Sequence, residues 1–68
     1  MKFKTGDKIK FNRNNDKGTI YEVVDVDNTN KVYTIMWAVS YSGEIETSVV
    51  GKEILEENYH KIEDEEML

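Results

Sequence analysis

Apolar and polar residues alternate with period two in several short stretches of the chain, and this alternation predicts β-strands. In residues 8–12 it places Ile9 and Phe11 on one face and lysines on the other, as expected for a half-buried first strand. β-Branched and aromatic residues are densest in residues 18–37, interrupted by the turn-forming sequence 27–30. We interpret residues 18–37 as a β-hairpin that organises the rest of the fold.

The first strand of this hairpin does not alternate cleanly. Its apolar residues fall on both faces, with Ile20, Val24 and Val26 on one and Tyr21 and Val23 on the other. This slip in phase predicts either a β-bulge near residues 21–23 or a strongly bent strand with apolar residues on both faces. A bent strand suits a small barrel, because the strands of such a barrel must turn its corners.

The return strand and a fourth strand extend the predicted sheet. Tyr33, Ile35 and Trp37 share one face of the return strand, and we assign that face to the core because Trp and Tyr bring the largest apolar area. Residues 43–50 alternate again and predict a fourth strand with three inward residues, namely Ile45, Thr47 and Val49.

The last part of the chain changes character. Residues 51–59 are rich in helix formers and predict one or two helical turns, and residues 59–63 predict a last short strand. We expect one domain over residues 1–63 and a frayed acidic tail over residues 64–68. The predicted core consists of Ile9, Phe11, Ile20, Val24, Tyr33, Ile35, Trp37, Ile45, Val49, Leu55 and Ile62.

Composition limits the chemistry that is open to the chain. Cysteine and proline are absent, which excludes disulfides, a thiolate nucleophile and Cys-based zinc sites. His60 is the single imidazole, and no nucleophile motif or phosphate-binding loop accompanies it, so we expect no enzymatic activity and no cofactor or metal. No apolar run reaches the length of a membrane span and no signal-peptide pattern is present, so we expect a cytoplasmic protein.

Charge is distributed unevenly along the chain. The net charge is −5 at pH 7. Residues 1–17 nevertheless hold six basic and two acidic residues, a net of +4, whereas residues 38–68 hold nine acidic and two basic residues, a net of −7. The first segment therefore favours an anionic partner, and the second favours a basic protein surface.

The order of the predicted elements resembles the five-stranded SH3-like barrels of the KOW and Tudor kind. The resemblance spans residues 5–62 and is carried by GDKI at residues 6–9, Gly18-x-Ile20, Tyr33-x-Ile35-x-Trp37, and Ile54-Leu55. It implies an all-β fold, a five-stranded SH3-like barrel with one short helical turn before the last strand. Members of this group typically bind nucleic acid, ribosomal partners, modified peptides or other protein surfaces, and they rarely perform chemistry.

Two binding hypotheses follow from this resemblance and from the charge. The first is a non-catalytic module that binds a protein partner through loops and an acidic surface, with candidate residues Tyr41, Glu44, Glu46, Glu53, Glu56 and Glu57. The alternative is weak nucleic-acid binding by the basic first strand and the loop after it, with candidate residues Lys8, Lys10, Arg13, Lys17 and Tyr21. The negative net charge discourages contact with phosphates and favours the protein partner.

Two further alternatives concern the aromatic residues and the edges of the sheet. The aromatic side chains either fill the core or form a cage for a methylated cation, with Tyr41 on a loop and an outward-facing Tyr21 as candidates. The edge strands of an incompletely closed barrel can also pair with another copy of the chain, which would give a homo-oligomer.

Overall fold

The computed structural model describes residues 1–13 and 18–63 and contains five strands and one short helix. The elements are β1 (Lys8–Phe11), β2 (Ile20–Asp27), β3 (Val32–Ala38), β4 (Ile45–Gly51), α1 (Lys52–Asn58) and β5 (Tyr59–Lys61). Of the predicted all-β barrel with one short helical turn, this order confirms five strands and a short helix before the last strand, in a fold that is mostly β. Lys17 and the predicted tail over residues 64–68 lie outside the described residues.

The five strands form one antiparallel sheet in the order β4-β3-β2-β1-β5. The two edges of the sheet are therefore β4 and β5. Within residues 1–13 and 18–63 no ladder joins these two strands, so the sheet is not closed into a barrel. An open sheet leaves one long strand, β4, with an unpaired side.

The predicted hairpin is present as β2 and β3, joined by a turn that Asp27 organises. Its carboxylate accepts hydrogen bonds from the backbone N–H groups of Thr29 and Asn30, at 3.0 Å each. The side-chain amide of Asn30 donates to the same carboxylate over 2.9 Å. These hydrogen bonds lower the pKa of Asp27 because they favour its charged form, and the bond from the Asn30 backbone has the largest effect. Lys31 completes the turn with a φ of 57°.

A β-bulge in β2 confirms one of the two predicted explanations for its broken alternation. Val23 pairs with Ile35 and Asp25 pairs with Thr34, so Val24 is the extra residue. The bulge thus lies directly after the predicted segment 21–23. It allows Val23 to be buried, whereas Val24, which we predicted in the core, is only half-buried.

Among the described residues, seven hydrophobic side chains are buried and form the core. Five of them were predicted, namely Ile9, Tyr33, Ile35, Leu55 and Ile62, and two were not, namely Phe3 and Val23. Phe11 and Trp37 were predicted in the core but are only half-buried. They belong to an aromatic row beside the core, in which Tyr21 contacts Trp37 and Tyr59, and Tyr59 contacts Phe11.

Three predicted core residues are exposed, and the prediction for them is wrong. Ile20, Ile45 and Val49 are 42%, 61% and 66% exposed. In β4 the cause is the register with β3, which places Ser48 opposite Ile35 and Val50 opposite Tyr33. Because directly opposite residues share a face, Ser48 and Val50 lie on the core side, and the alternate residues lie on the other.

Phe3 enters the core because the N-terminal segment is bonded to the middle of the sheet. Its ring lies 5.7 Å from that of Tyr33, and its backbone N–H donates to the Tyr33 hydroxyl over 3.1 Å. Gly6 N–H donates to Val23 O, and Val23 N–H donates to Asp7 O. These contacts fold the segment over the sheet.

We predict that Phe3→Ala lowers the free energy of unfolding by about 3–4 kcal/mol, because it removes a fully buried aromatic side chain. Urea denaturation followed by circular dichroism measures this change. The exposed neighbour Lys4 provides the control, since Lys4→Ala should change stability by less than about 0.5 kcal/mol. A similar small loss for both variants would contradict the burial of Phe3.

Candidate functional site

The face of the sheet that points away from the core carries an exposed apolar area. The β3–β4 register places Ile45 opposite Ala38, Thr47 opposite Met36 and Val49 opposite Thr34. We define the outer apolar patch as Ile20, Met36, Ala38, Ile45 and Val49. All but Val49 line one groove, which extends from β4 across β3 and β2 to Lys8 of β1. Clustered exposed apolar side chains are typical of interaction surfaces.

The turn between β3 and β4, which connects Ala38 and Ile45 of this patch, presents a tyrosine. Val39 N–H donates to Glu44 O, and Gly43 N–H donates to Val39 O, each over 2.8 Å. Gly43 adopts a φ of 74°, which favours glycine. The turn holds Tyr41 at its tip, where the side chain is 91% exposed.

The structure divides the predicted acidic surface into two groups. Glu44 and Glu46 lie where β4 begins, close in sequence to Tyr41, and both are exposed. Glu53 and Glu57 are exposed on α1, which begins where β4 ends. The seven-residue β4 separates the groups by about 20 Å at the usual rise per residue. Only the first group adjoins the exposed tyrosine.

Glu56, the remaining candidate residue of the acidic surface, makes its hydrogen bonds within the fold. Its Oε2 accepts hydrogen bonds from the Tyr33 hydroxyl at 2.5 Å and from Lys2 N–H at 2.8 Å. Its Oε1 lies 3.4 Å from Lys52 Nζ. These partners, Tyr33 first, lower the pKa of Glu56 to about 2. Burial raises the pKa of Tyr33, and the hydrogen bond to Glu56 raises it further. The carboxylate thus holds the fold together.

The basic candidate residues of the nucleic-acid alternative are only partly brought together. Lys8 and Lys10 share the outer face, and Lys8 Nζ lies 2.9 Å from the Glu22 carboxylate. Arg13 is exposed beyond the end of β1. Tyr21 pairs with Ile9 on the core side, and its ring contacts Trp37 and Tyr59 with centroid distances of 5.2 and 5.4 Å. Tyr21 therefore does not share the face of the lysines.

The described residues contain neither a metal-binding cluster nor a membrane-spanning helix. Across residues 1–13 and 18–63, no group of three or more His, Cys, Asp or Glu side chains is arranged to hold a metal ion. His60 Nδ1 lies 2.7 Å from Asn12 Oδ1. In the described part of the chain, no helix has the length and apolar character needed to cross a membrane.

Sequence reasoning missed the outer apolar patch because it assigned Ile20, Ile45 and Val49 to the core. The adjacent pair Val49-Val50 was the available signal, because it is compatible with either phase of β4. Comparisons of the chain with models of protein families, with curated proteins and with solved structures found no match. Function is therefore inferred from the surface chemistry of the chain itself.

We predict that the contacts of Glu56 with Tyr33, Lys2 and Lys52 make the free energy of unfolding depend on pH in the acidic range. The pKa of Glu56 is lowered from 4.5 to about 2 in the folded state, so its contribution is complete above pH 4.5 and is lost as pH falls towards 2. Because the Tyr33 hydroxyl and Lys2 N–H would lose their charged acceptor, Glu56→Gln should cost roughly 1–3 kcal/mol at pH 7. It should also flatten the loss of stability below pH 4.5.

Urea denaturation of the wild type and of Glu56→Gln at several pH values between 2 and 7 measures both effects. The exposed neighbour Glu57 provides the matched control, and Glu57→Gln should keep the acid dependence of the wild type. Parallel pH profiles for the wild type and Glu56→Gln would contradict the assigned network.

Proposed function

We propose that the chain is a non-catalytic module that binds a protein partner through the surface around the β3–β4 turn. We define this turn surface as Tyr41, Glu44, Ile45 and Glu46. The observation that carries the proposal is the 91% exposure of Tyr41 in the turn that leads into the 61% exposed Ile45. Exposed apolar side chains that cluster on a surface are typical of protein–protein interaction sites.

The chemistry of the turn surface favours a particular kind of partner. Tyrosine is enriched among the residues that dominate protein–protein binding energy, and it acts by filling a pocket on the partner. Glu44 precedes Ile45 in the chain, and Glu46 follows it on the core-side face of β4. Both carboxylates are exposed and add negative charge to a chain whose net charge is already −5. The partner we propose is therefore a protein with an apolar pocket bordered by Lys or Arg side chains.

We also propose that the chain is related to the SH3-like barrel modules of the KOW and Tudor kind, here with β4 and β5 left unjoined, and that it acts in the cytoplasm. Five antiparallel strands and a short helix before the last strand support the assignment. Proteins of that broad group are mostly binding modules, which agrees with a non-catalytic role. Glu56 supports this role as well. Its lowered pKa is accounted for by contacts within the fold, with Tyr33, Lys2 and Lys52, and needs no catalytic function to explain it.

Capture of partners from extracts of the source cell tests the proposed function. We expect Tyr41→Ala, combined with Glu44→Gln and Glu46→Gln, to reduce the captured partner by about tenfold or more, as loss of a binding hot spot does. The matched control is Glu53→Gln with Glu57→Gln, which removes the same charge from the exposed face of α1. Capture that depends on the α1 residues and not on the turn surface would contradict the proposal.

Titration with DNA and RNA at several salt concentrations distinguishes the nucleic-acid alternative from binding to a protein partner. We expect no binding even at low ionic strength, because the chain is acidic overall. Binding with a steep salt dependence that is abolished by Lys8→Ala, Lys10→Ala and Arg13→Ala would instead support nucleic-acid binding.

A further inference from the structure

Within residues 1–13 and 18–63, no strand pairs with the outer edge of β4, and this edge is regular. Seven consecutive residue pairs join β4 to β3 without a register shift. The strand, IETSVVG, has no proline or lysine, and Glu46 is its one charged residue. Sheet edges that stay unpaired are usually short, bulged or charged with lysine, because a long regular edge can bind another strand.

The opposite edge of the sheet has the protection that β4 lacks. β5 is three residues long, and it carries His60 and ends at Lys61. Lys61 Nζ lies 3.6 Å from the Asp7 carboxylate, which keeps a charged pair beside this edge. The two edges of the same sheet therefore differ in length and charge, and β4 is the one suited to accept a strand.

The hydrogen bonds at the two ends of β4 show which main-chain groups face outward. Val39 N–H donates to Glu44 O, and Lys52 N–H donates to Lys31 O over 2.9 Å. Residues that bond to the neighbouring strand alternate with residues that do not. The even-numbered residues between these ends therefore bond to β3, and the outward N–H and C=O groups belong to Ile45, Thr47, Val49 and Gly51.

We propose that β4 pairs antiparallel with β4 of a second copy of the chain, with Thr47 opposite Thr47. The two sheets then join into one. The outward main-chain groups of residues 45, 47 and 49 meet their counterparts and form about six hydrogen bonds. The proposal uses the strand edge and not Tyr41; it shares Ile45 and Glu46 with the turn surface, and its test reads self-association and not capture of a partner.

The side chains of β4 are complementary to themselves in this register. Ile45 faces Val49 of the partner subunit on the outer face, and the contact forms twice. These residues are 61% and 66% exposed in the single chain, so the pairing covers two exposed apolar side chains on each copy. On the core side Glu46 lies opposite a serine of the second copy, not opposite another carboxylate.

Neighbouring registers are less favourable. A pairing centred on Glu46 places two carboxylates directly opposite each other, which is destabilising. A pairing centred on Ser48 places Ile45 opposite a glycine and Val49 opposite a threonine, so it covers less apolar area. The pairing centred on Thr47 avoids the repulsion and joins the two outer apolar patches.

Introducing a positive or a negative charge at Thr47, where the two copies meet at their twofold axis, provides the test. Thr47 is exposed, so Thr47→Lys and Thr47→Glu each leave the contacts with β3 in place. We expect the wild type to reach twice the 8.0 kDa chain mass with rising concentration in sedimentation equilibrium. Each variant alone should stay monomeric, because it places like charges opposite each other. In a mixture, the heterodimer should exceed either homodimer by about tenfold or more.

Exposed Thr5 provides the matched control, and Thr5→Lys and Thr5→Glu should dimerise as the wild type does, alone or mixed. A wild type that keeps the mass of one chain at every concentration would overturn the proposal. Equal dimerisation of the wild type and both Thr47 variants would do the same, as would a mixture that forms no heterodimer.

Single cysteines give a second readout that keeps the charges unchanged, and the chain has no native cysteine to interfere. Two Thr47 residues in a hydrogen-bonded antiparallel pair have Cα atoms about 5.5 Å apart, within the range of a disulfide. Under mild oxidation Thr47→Cys should form a covalent dimer faster than Thr5→Cys. Equal rates would contradict pairing through β4, and faster coupling of Ser48→Cys would contradict the register.

Discussion

The fold depends on the Tyr33 hydroxyl, which joins three segments that are distant in the chain. It accepts a hydrogen bond from Phe3 N–H and donates one to the Glu56 carboxylate. Tyr33 itself is fully buried in the central part of the sheet, on β3. A buried hydroxyl is costly without partners, and here it is satisfied as both donor and acceptor. The contact places the N-terminal segment and α1 against the same face of the sheet.

This arrangement explains why the other face is left open. The N-terminal segment and the helix contribute Phe3 and Leu55 to one side, where they pack with Ile9, Val23 and Ile35. No described segment covers the opposite side of β3 and β4, and Ile45 and Val49 are exposed there. The surface available for binding is therefore a consequence of how the small core is filled. A chain of this size has few other segments with which to cover a second face.

Much of the fold could be predicted from local sequence. The alternation in β1 and β3, the turn at Asp27 and the helix formers after Gly51 each act over a few residues, so their elements were found. The bulge was also indicated by the slip in the alternation of β2. Its position, which determines that Val23 is buried, was not predictable from the sequence and is seen only in the structure. The phase of β4 could not be read in this way, because Val49 and Val50 satisfy either face and the pairing with β3 decides between them.

The candidate site was predictable only in part, for a related reason. Tyr41 was correctly placed on a loop, because turn-forming residues surround it. Glu56 gave no sign of its bonds, since the Tyr33 hydroxyl and Lys2 N–H that it contacts are 23 and 54 residues away. Long-range contacts of this kind distinguish a structural carboxylate from a surface one, and a single sequence does not contain them.

Amide hydrogen exchange along β4, followed by NMR as a function of concentration, tests most directly the claim that this strand has a paired inner side and a free outer edge. In dilute solution the Ser48 and Val50 amides should be protected, and the Thr47 and Val49 amides should exchange freely. At high concentration Thr47 and Val49 should become protected as well. Protection of Thr47 and Val49 equal to that of Ser48 in the dilute monomer would contradict the account.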